Sequence, residues 1–149
     1  MAVVERSALL RFRAQDLYAL VADVEAYPQF LPGCTAARVE HREEDRLRAR
    51  LSFRVKGLSD SFATENQMTL GEGGAPSIRM RLVDGPFRQL SGAWEFQPLG
   101  EGACKVSLRL SLEFGNRVLE ASLGPWVDRA VNGLIDAFRL RAEALYGGR

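Results

Sequence analysis

Cysteine, histidine and lysine are all scarce in this chain. The two cysteines, Cys34 and Cys104, have no metal-ligand spacing and, without a secretory context, make no disulfide framework. His41 is the single histidine and sits in a charged stretch, so neither a histidine metal set nor a nucleophile–base pair is expected. No metal and no cofactor is therefore expected. No apolar run approaches the roughly 20 residues of a membrane-spanning helix. No basic stretch followed by an apolar one opens the chain, so no secretory leader is expected. The expected location is cytoplasmic, with at most peripheral contact with an inner membrane. The net charge is only +1, which excludes a chain that binds nucleic acid by overall charge. Gly71, Gly73 and Gly74 do not lead from a strand into a helix at dinucleotide-binding spacing, so they are not a phosphate loop.

What is present is an ordinary globular composition, 46% hydrophobic and 26% charged over 149 residues. That length suits one domain, 1–149, able to bury about 70% of its unfolded surface without staples. The basic residues are almost all arginine, with lysine only at Lys56 and Lys105. Arginine suits phosphate contact, although a GC-rich coding sequence produces the same bias.

Residues 2–11 carry enough valine and leucine for a first strand. Leu17, Leu20, Val21 and Val24 then follow helical spacing from about Ala14 to Tyr27-Pro28, where proline ends the helix. Pro28 opens a second short turn through Phe30-Leu31, stopped by Pro32-Gly33. Leu47, Ala49, Leu51, Phe53 and Val55 next alternate with Arg46, Arg48, Arg50, Ser52, Arg54 and Lys56 without exception. Phe62, Thr64, Asn66, Met68 and Leu70 share a face of the following strand, and residues 71–76 make a hairpin loop. Three more alternating runs contain Ile78, Met80 and Leu82; Leu90, Gly92, Trp94 and Phe96; and Cys104 to Phe114. Strands with one apolar and one wet face, joined by tight connections, predict an antiparallel sheet. The last segment is a helix with Pro125 in its first turn, Val127, Val131, Leu134, Phe138, Arg141 and Leu145 recurring at three and four with Ala130 and Ile135 beside them, and Gly147-Gly148 at its end.

One helix about 10 Å wide is too narrow to fill the concavity of a twisted sheet of six or seven strands. Either bulky side chains or a cavity take up the difference. Thr64 and Asn66 point inward, where a polar group needs a partner. An apolar cavity with a few polar groups is the usual form of a small-molecule site.

This order of elements resembles the α+β helix-grip fold of START-like domains: a curved antiparallel sheet around a long C-terminal helix, with two short helices after the first strand. The segment from Ala22 to Cys34, ADVEAYPQFLPGC, resembles a signature of the RatA and coenzyme-Q-binding family. So do Phe62–Asn66, Leu82–Phe87, Leu90–Phe96 and Leu112–Asn116. The likeness spans essentially the whole chain, with only the glycine-rich loop longer than the family pattern. It implies two activities. The mitochondrial branch binds ubiquinone and keeps it available for respiration. The bacterial RatA branch is a toxin that binds the large ribosomal subunit and blocks its joining with the small one. A toxin implies a cognate antitoxin, which no residue identifies.

The candidate cavity residues are Phe53, Phe62, Thr64, Asn66, Met68, Met80, Leu82, Trp94, Phe96, Val131, Leu134 and Phe138. For the aromatics and methionines, core packing is the competing role; for Thr64 and Asn66 it is an internal hydrogen bond. Tyr27, Phe30, Leu31, Asp84, Pro86 and Phe87 are expected at an entrance, with Asp84-Gly85-Pro86 also plain turn chemistry. Arg46, Arg48, Arg50, Arg54 and Lys56, with Arg38 and Arg42 from the preceding strand, form a solvated face or a patch for ribosomal RNA or anionic lipid. The leading expectation is binding of a polyprenyl quinone or another apolar small molecule. The alternative is a RatA-type toxin acting on the large ribosomal subunit. An enzyme is not expected, although the fold also hosts cyclases and hydrolases.

Overall fold

The computed structural model describes residues 2–55, 57–70 and 75–147, without the side chains at 2, 55, 58 and 70. Lys56, Gly71, Gly73, Gly74 and Gly148 lie outside the described residues. The chain runs β1 (Ala2–Leu10), α1 (Ala14–Ala22), a 3-10 helix (Val24–Gln29), β2 (Cys34–Arg42), β3 (Arg46–Val55) and β4 (Leu58–Leu70). It continues through β5 (Pro76–Asp84), β6 (Phe87–Pro98), β7 (Cys104–Phe114) and α2 (Arg117–Tyr146). The seven strands form one antiparallel sheet in the order β1-β7-β6-β5-β4-β3-β2. Six consecutive strands therefore pair by simple hairpin adjacency, and β1 returns to close against the last of them. This is the α+β helix-grip arrangement.

Alternation explains the inner face. Leu47, Ala49 and Phe53 of β3 are buried and Leu51 half-buried, while Arg46, Arg48 and Arg54 are exposed. Ile78, Trp94, Phe96, Val106, Leu108 and Leu112 continue that buried face across the sheet. Seven strands about 4.8 Å apart span roughly 29 Å, against one helix about 10 Å across. Besides α2, α1 helps to cover the apolar side, with Leu17, Leu20 and Val21 in the same core as the sheet residues.

The helices depart from expectation in three places. α1 ends at Ala22, not at Tyr27-Pro28, and Val24 opens the 3-10 helix, which contains Pro28 instead of starting at it. In 3-10 geometry residues three apart eclipse, so Val24 and Tyr27 both turn inward. α2 begins eight residues before Pro125, capped by the Asn116 side chain, which accepts from the Leu119 N–H at 2.8 Å. The helix runs on through Pro125, with Leu123 buried just before it and Val127 just after it. The buried stripe of α2 is Leu123, Val127, Val131, Ile135, Phe138 and Ala142. Arg141 instead lies over the Phe30 ring at 5.2 Å, and Leu145 is exposed.

Candidate functional site

A cavity of about 350 Å³ opens between the middle of α2 and the β2–β4 side of the sheet. Leu51 and Phe53 of β3, Phe62 of β4 and the Leu31–Cys34 turn form one side. Trp126, Ala130, Gly133, Leu134 and Ala137 form the other. On α2 these recur at helical spacing, so they share a helix face, and the small Ala130, Gly133 and Ala137 leave the space open. An added Cβ at Gly133 would meet nothing within 4 Å. Polar groups in the lining are Cys34, Ser52 and Arg129, of which Arg129 is exposed.

Aromatic packing fixes the walls. Phe53 stacks on Trp126 at 5.3 Å and 19°, and touches Phe62 at 6.1 Å. Phe62 meets Phe87 edge-on at 5.7 Å, and Phe87 in turn packs on Phe114. Gly33, at φ +82°, lets its turn lie on the indole, because a Cβ there would stand 3.2 Å from Trp126 Nε1. Gly85 closes onto Phe62, where a Cβ would come within 2.5 Å of the Phe62 Cβ.

Of the expected cavity residues, Phe53, Phe62 and Leu134 line this space, joined by Leu31 from the expected entrance. Trp94, Phe96, Val131 and Phe138 lie in the main core: Trp94 stacks on Phe96 at 6.0 Å and meets Phe138 at 5.5 Å. Met68, Met80 and Leu82 are half-buried against that core. Thr64 and Asn66 are buried away from the cavity lining, and the Thr64 hydroxyl donates to Asn66 Oδ1 at 2.8 Å. Asn66 thus has a local partner two residues away on the same face of β4.

The expected entrance residues are mostly structural. Tyr27, Phe30 and Phe138 make a cluster of edge-on rings with centroids 5.3–6.0 Å apart. The Tyr27 hydroxyl donates to the Val21 carbonyl, and burial, then Asp23 and Cys34, raises its pKa well above the ordinary phenol range. Phe87 is buried and the Pro86 carbonyl accepts from the Gly115 N–H. Asp84 accepts from Arg50 at 2.7 Å. The sequence reading missed Leu51, Trp126, Ala130, Gly133 and Ala137 as lining; the signal was small residues at helical spacing after Trp126.

The arginine strand divides. Arg50 is tied to Glu40 at 2.9 Å, Asp84 at 2.7 Å and Ser61 at 3.1 Å, so it cross-links β2, β3, β4 and β5. Its hydrogen bonds hold the Glu40 and Asp84 carboxyls below their ordinary range. Arg46 meets Glu65 at 3.5 Å, and Arg38 meets Glu40 at 3.2 Å. Arg48 and Arg54 form no ion pair among the described residues. Burial raises the Cys34 thiol and pushes Cys104 up to about 11. No group of three or more metal-ligating side chains is gathered among the described residues.

The family of polyketide cyclases, dehydrases and lipid-transport proteins matches residues 10–139. A Vibrio cholerae protein named ribosome association toxin RatA is 43% identical over 99% of both chains. The Escherichia coli protein of that name is 38% identical over 100% of this chain and 92% of its own. A coenzyme Q-binding protein COQ10 homolog from Xenopus laevis is 26% identical, over 95% of this chain and 58% of its own. Among solved structures, the 18 kDa protein CC1736 of Caulobacter crescentus is 32% identical with a TM-score of 0.75, over 99% of both chains. A Streptomyces aromatase/cyclase shares the fold at a TM-score of 0.80 and 17% identity, over 95% of this chain and 93% of its own. The fold thus also carries enzymes. The whole-length match with RatA proteins and the family match over residues 10–139 place this chain in the polyketide cyclase, dehydrase and lipid-transport family, as a member of its RatA branch.

Proposed function

We propose that this chain is a RatA-type protein that binds the large ribosomal subunit and hinders its joining with the small one, so inhibiting translation initiation. The observation that supports this over quinone delivery is the 43% identity with a ribosome association toxin across 99% of both chains. The match to the coenzyme Q-binding relative is much weaker, at 26%. Purified protein is mixed with isolated subunits, and joining is followed by light scattering as magnesium is raised. Slower or incomplete joining, with the protein sedimenting with the large subunit, is expected. Normal joining at a several-fold excess of protein would refute the reading.

The cavity supports a second role, binding of an apolar ligand such as the ring of a polyprenyl quinone. A cavity of about 150 Å³ holds one benzene ring. The roughly 350 Å³ here takes a ring and the start of a tail, and leaves a long polyprenyl chain outside. Native mass spectrometry of protein purified from its own host tests this; a ligand-free spectrum under gentle conditions would count against it. The lining offers no carboxylate or imidazole beside Cys34, Ser52 and Arg129, so the role proposed is binding, not catalysis. No helix among the described residues is long and apolar enough to cross a membrane. The cytoplasm is the location proposed with ribosome binding, and peripheral contact with an inner membrane belongs to the quinone role. A cognate antitoxin would complete the RatA reading.

A further inference from the structure

The outer face of the sheet carries an arrangement that spans strands far apart in sequence. Arg46, Gln67, Arg79, Ala93 and Arg109 stand directly opposite one another on β3, β4, β5, β6 and β7. Arginine therefore occupies every second strand of one row, at intervals of about 10 Å for strands about 4.8 Å apart. A parallel row two residues along holds Arg48, Glu65, Arg81, Ser91 and Ser111. All five arginines are exposed.

Few carboxylates answer them. Glu65 is shared between Arg46 at 3.5 Å and Arg81 at 3.4 Å, and Arg109 meets Glu5 at 3.4 Å. Arg79 makes no ion pair among the described residues, and Arg48, also without one at contact distance, acts from further away on the Asp84 carboxylate that Arg50 holds. The Arg109–Glu5 pair is exposed on both sides and weak, and half-buried Glu65 is divided between two arginines, so neither carboxylate neutralises its row. Between the arginines, Ser91, Ala93 and Ser111 are small, and two shallow depressions meet at Arg79. The face is thus a low floor edged by guanidinium groups, the side chain best suited to phosphate.

We infer that this face binds the phosphate backbone of helical RNA, with Arg46, Arg79 and Arg109 as its main contacts. The inference rests on the ribosome reading and names the surface that would meet the subunit. The rows contain no aromatic side chain on which unpaired bases could stack. On β1, which continues the second row, Val3 stands exposed opposite Ser111, and half-buried Met80 lines both depressions; two separate apolar side chains make no continuous apolar face to enter a bilayer. Backbone and shape recognition, the usual mode for double-stranded RNA, is what this chemistry supports. Arg50, the centre of the sequence-based patch, is committed to Glu40 and Asp84 and is not part of the contact.

The test compares wild type with an Arg46→Gln/Arg79→Gln/Arg109→Gln variant in binding to purified large subunits and to an RNA duplex of about 16 base pairs. Arg139→Gln on α2, where Arg139 pairs with Asp136 and Glu143, is the control. Three lost phosphate contacts, at about 0.7–0.9 each, flatten the log–log salt dependence by about 2–3 units. Between 50 mM and 200 mM salt, wild type should then lose about 20- to 40-fold more affinity than the triple variant. Triple replacement by lysine, which keeps the charge, should retain most of the slope, and the control should behave as wild type. An unchanged slope in a folded glutamine variant, with wild type binding subunits, would overturn this surface and leave the ribosome reading standing. Binding of the duplex through these arginines without binding of subunits would do the reverse. Failure to bind either would overturn both. Arginine-dependent binding to anionic vesicles but not to RNA would replace the inference with a membrane surface.

Discussion

Replacing Gly133 with leucine should separate the stability of this protein from its ligand binding, because the two effects have opposite signs. Gly133 lies in the middle of α2 and faces the cavity, and an added Cβ would meet nothing within 4 Å. A glycine inside a helix costs about 0.8–1 kcal/mol relative to alanine, and leucine is nearly as good a helix former. The substitution should therefore stabilise by roughly 0.5–1 kcal/mol. For a chain of this size 1 kcal/mol corresponds to a rise in Tm of about 2–4 °C. The same four carbons enter a cavity of about 350 Å³ and compete with any occupant. Ser122, exposed on α2 and absent from the cavity lining, supplies the control. Ser122→Ala, which replaces a weaker helix former with the best one, should also raise Tm, by a smaller amount, and leave binding unchanged. Differential scanning fluorimetry gives Tm, and Trp126 fluorescence, from an indole in the cavity wall, reports on an apolar probe. A lower Tm with binding intact in Gly133→Leu would refute both the open helix face and the assignment of this cavity as the binding site.

The Thr64–Asn66 hydrogen bond should be a folding element: Asn66→Leu strands a buried hydroxyl and costs about 1–3 kcal/mol, whereas Thr64→Val/Asn66→Leu together costs less than Asn66→Leu alone. Denaturant titration of the double-mutant cycle measures this, with ligand retention unchanged throughout. Arg50 holds the Asp84 and Glu40 carboxyls below their ordinary range, so its stabilisation is present above the ordinary carboxyl pKa and is lost as pH falls through the lowered values. Arg50→Gln should lower stability at pH 7 and converge with wild type in acid; a constant gap in urea titrations down to pH 2 would refute this. Cys34, half-buried in the cavity lining, should react with a thiol reagent before buried Cys104, whose pKa is about 11, and a bound apolar ligand should slow it. Mass-spectrometric labelling with and without ligand reads the order directly.

Alternation and spacing in the sequence determined most of the fold. The unbroken period of two through β3 can be satisfied only by a strand with one buried face, and the spacing from Val127 to Phe138 only by a helix with one buried face. The mismatch between a broad sheet and a narrow helix also implied a cavity before its position was known. Local patterning could not say where that cavity lies, because inwardness is a property of one strand whereas enclosed space depends on several elements together. Trp94, Phe96 and Phe138 satisfy one another in the core, while Leu51, Phe53 and the small residues of α2 do not meet closely enough to fill theirs. Alternation turns Thr64 and Asn66 inward and leaves a ligand contact and an internal hydrogen bond both open; the folded strand sets the Thr64 hydroxyl on Asn66 Oδ1. The arginines divided for the same reason. Arg46 and Arg50 are equivalent in the alternation, but pairing with β2 and bridging to Asp84 neutralise Arg50, while strand register aligns Arg46 with Arg79 and Arg109, 33 and 63 residues away in sequence numbering. Which charges stand together is decided by antiparallel register, and register is set by the whole buried face of the sheet, not by the residues that carry the charge.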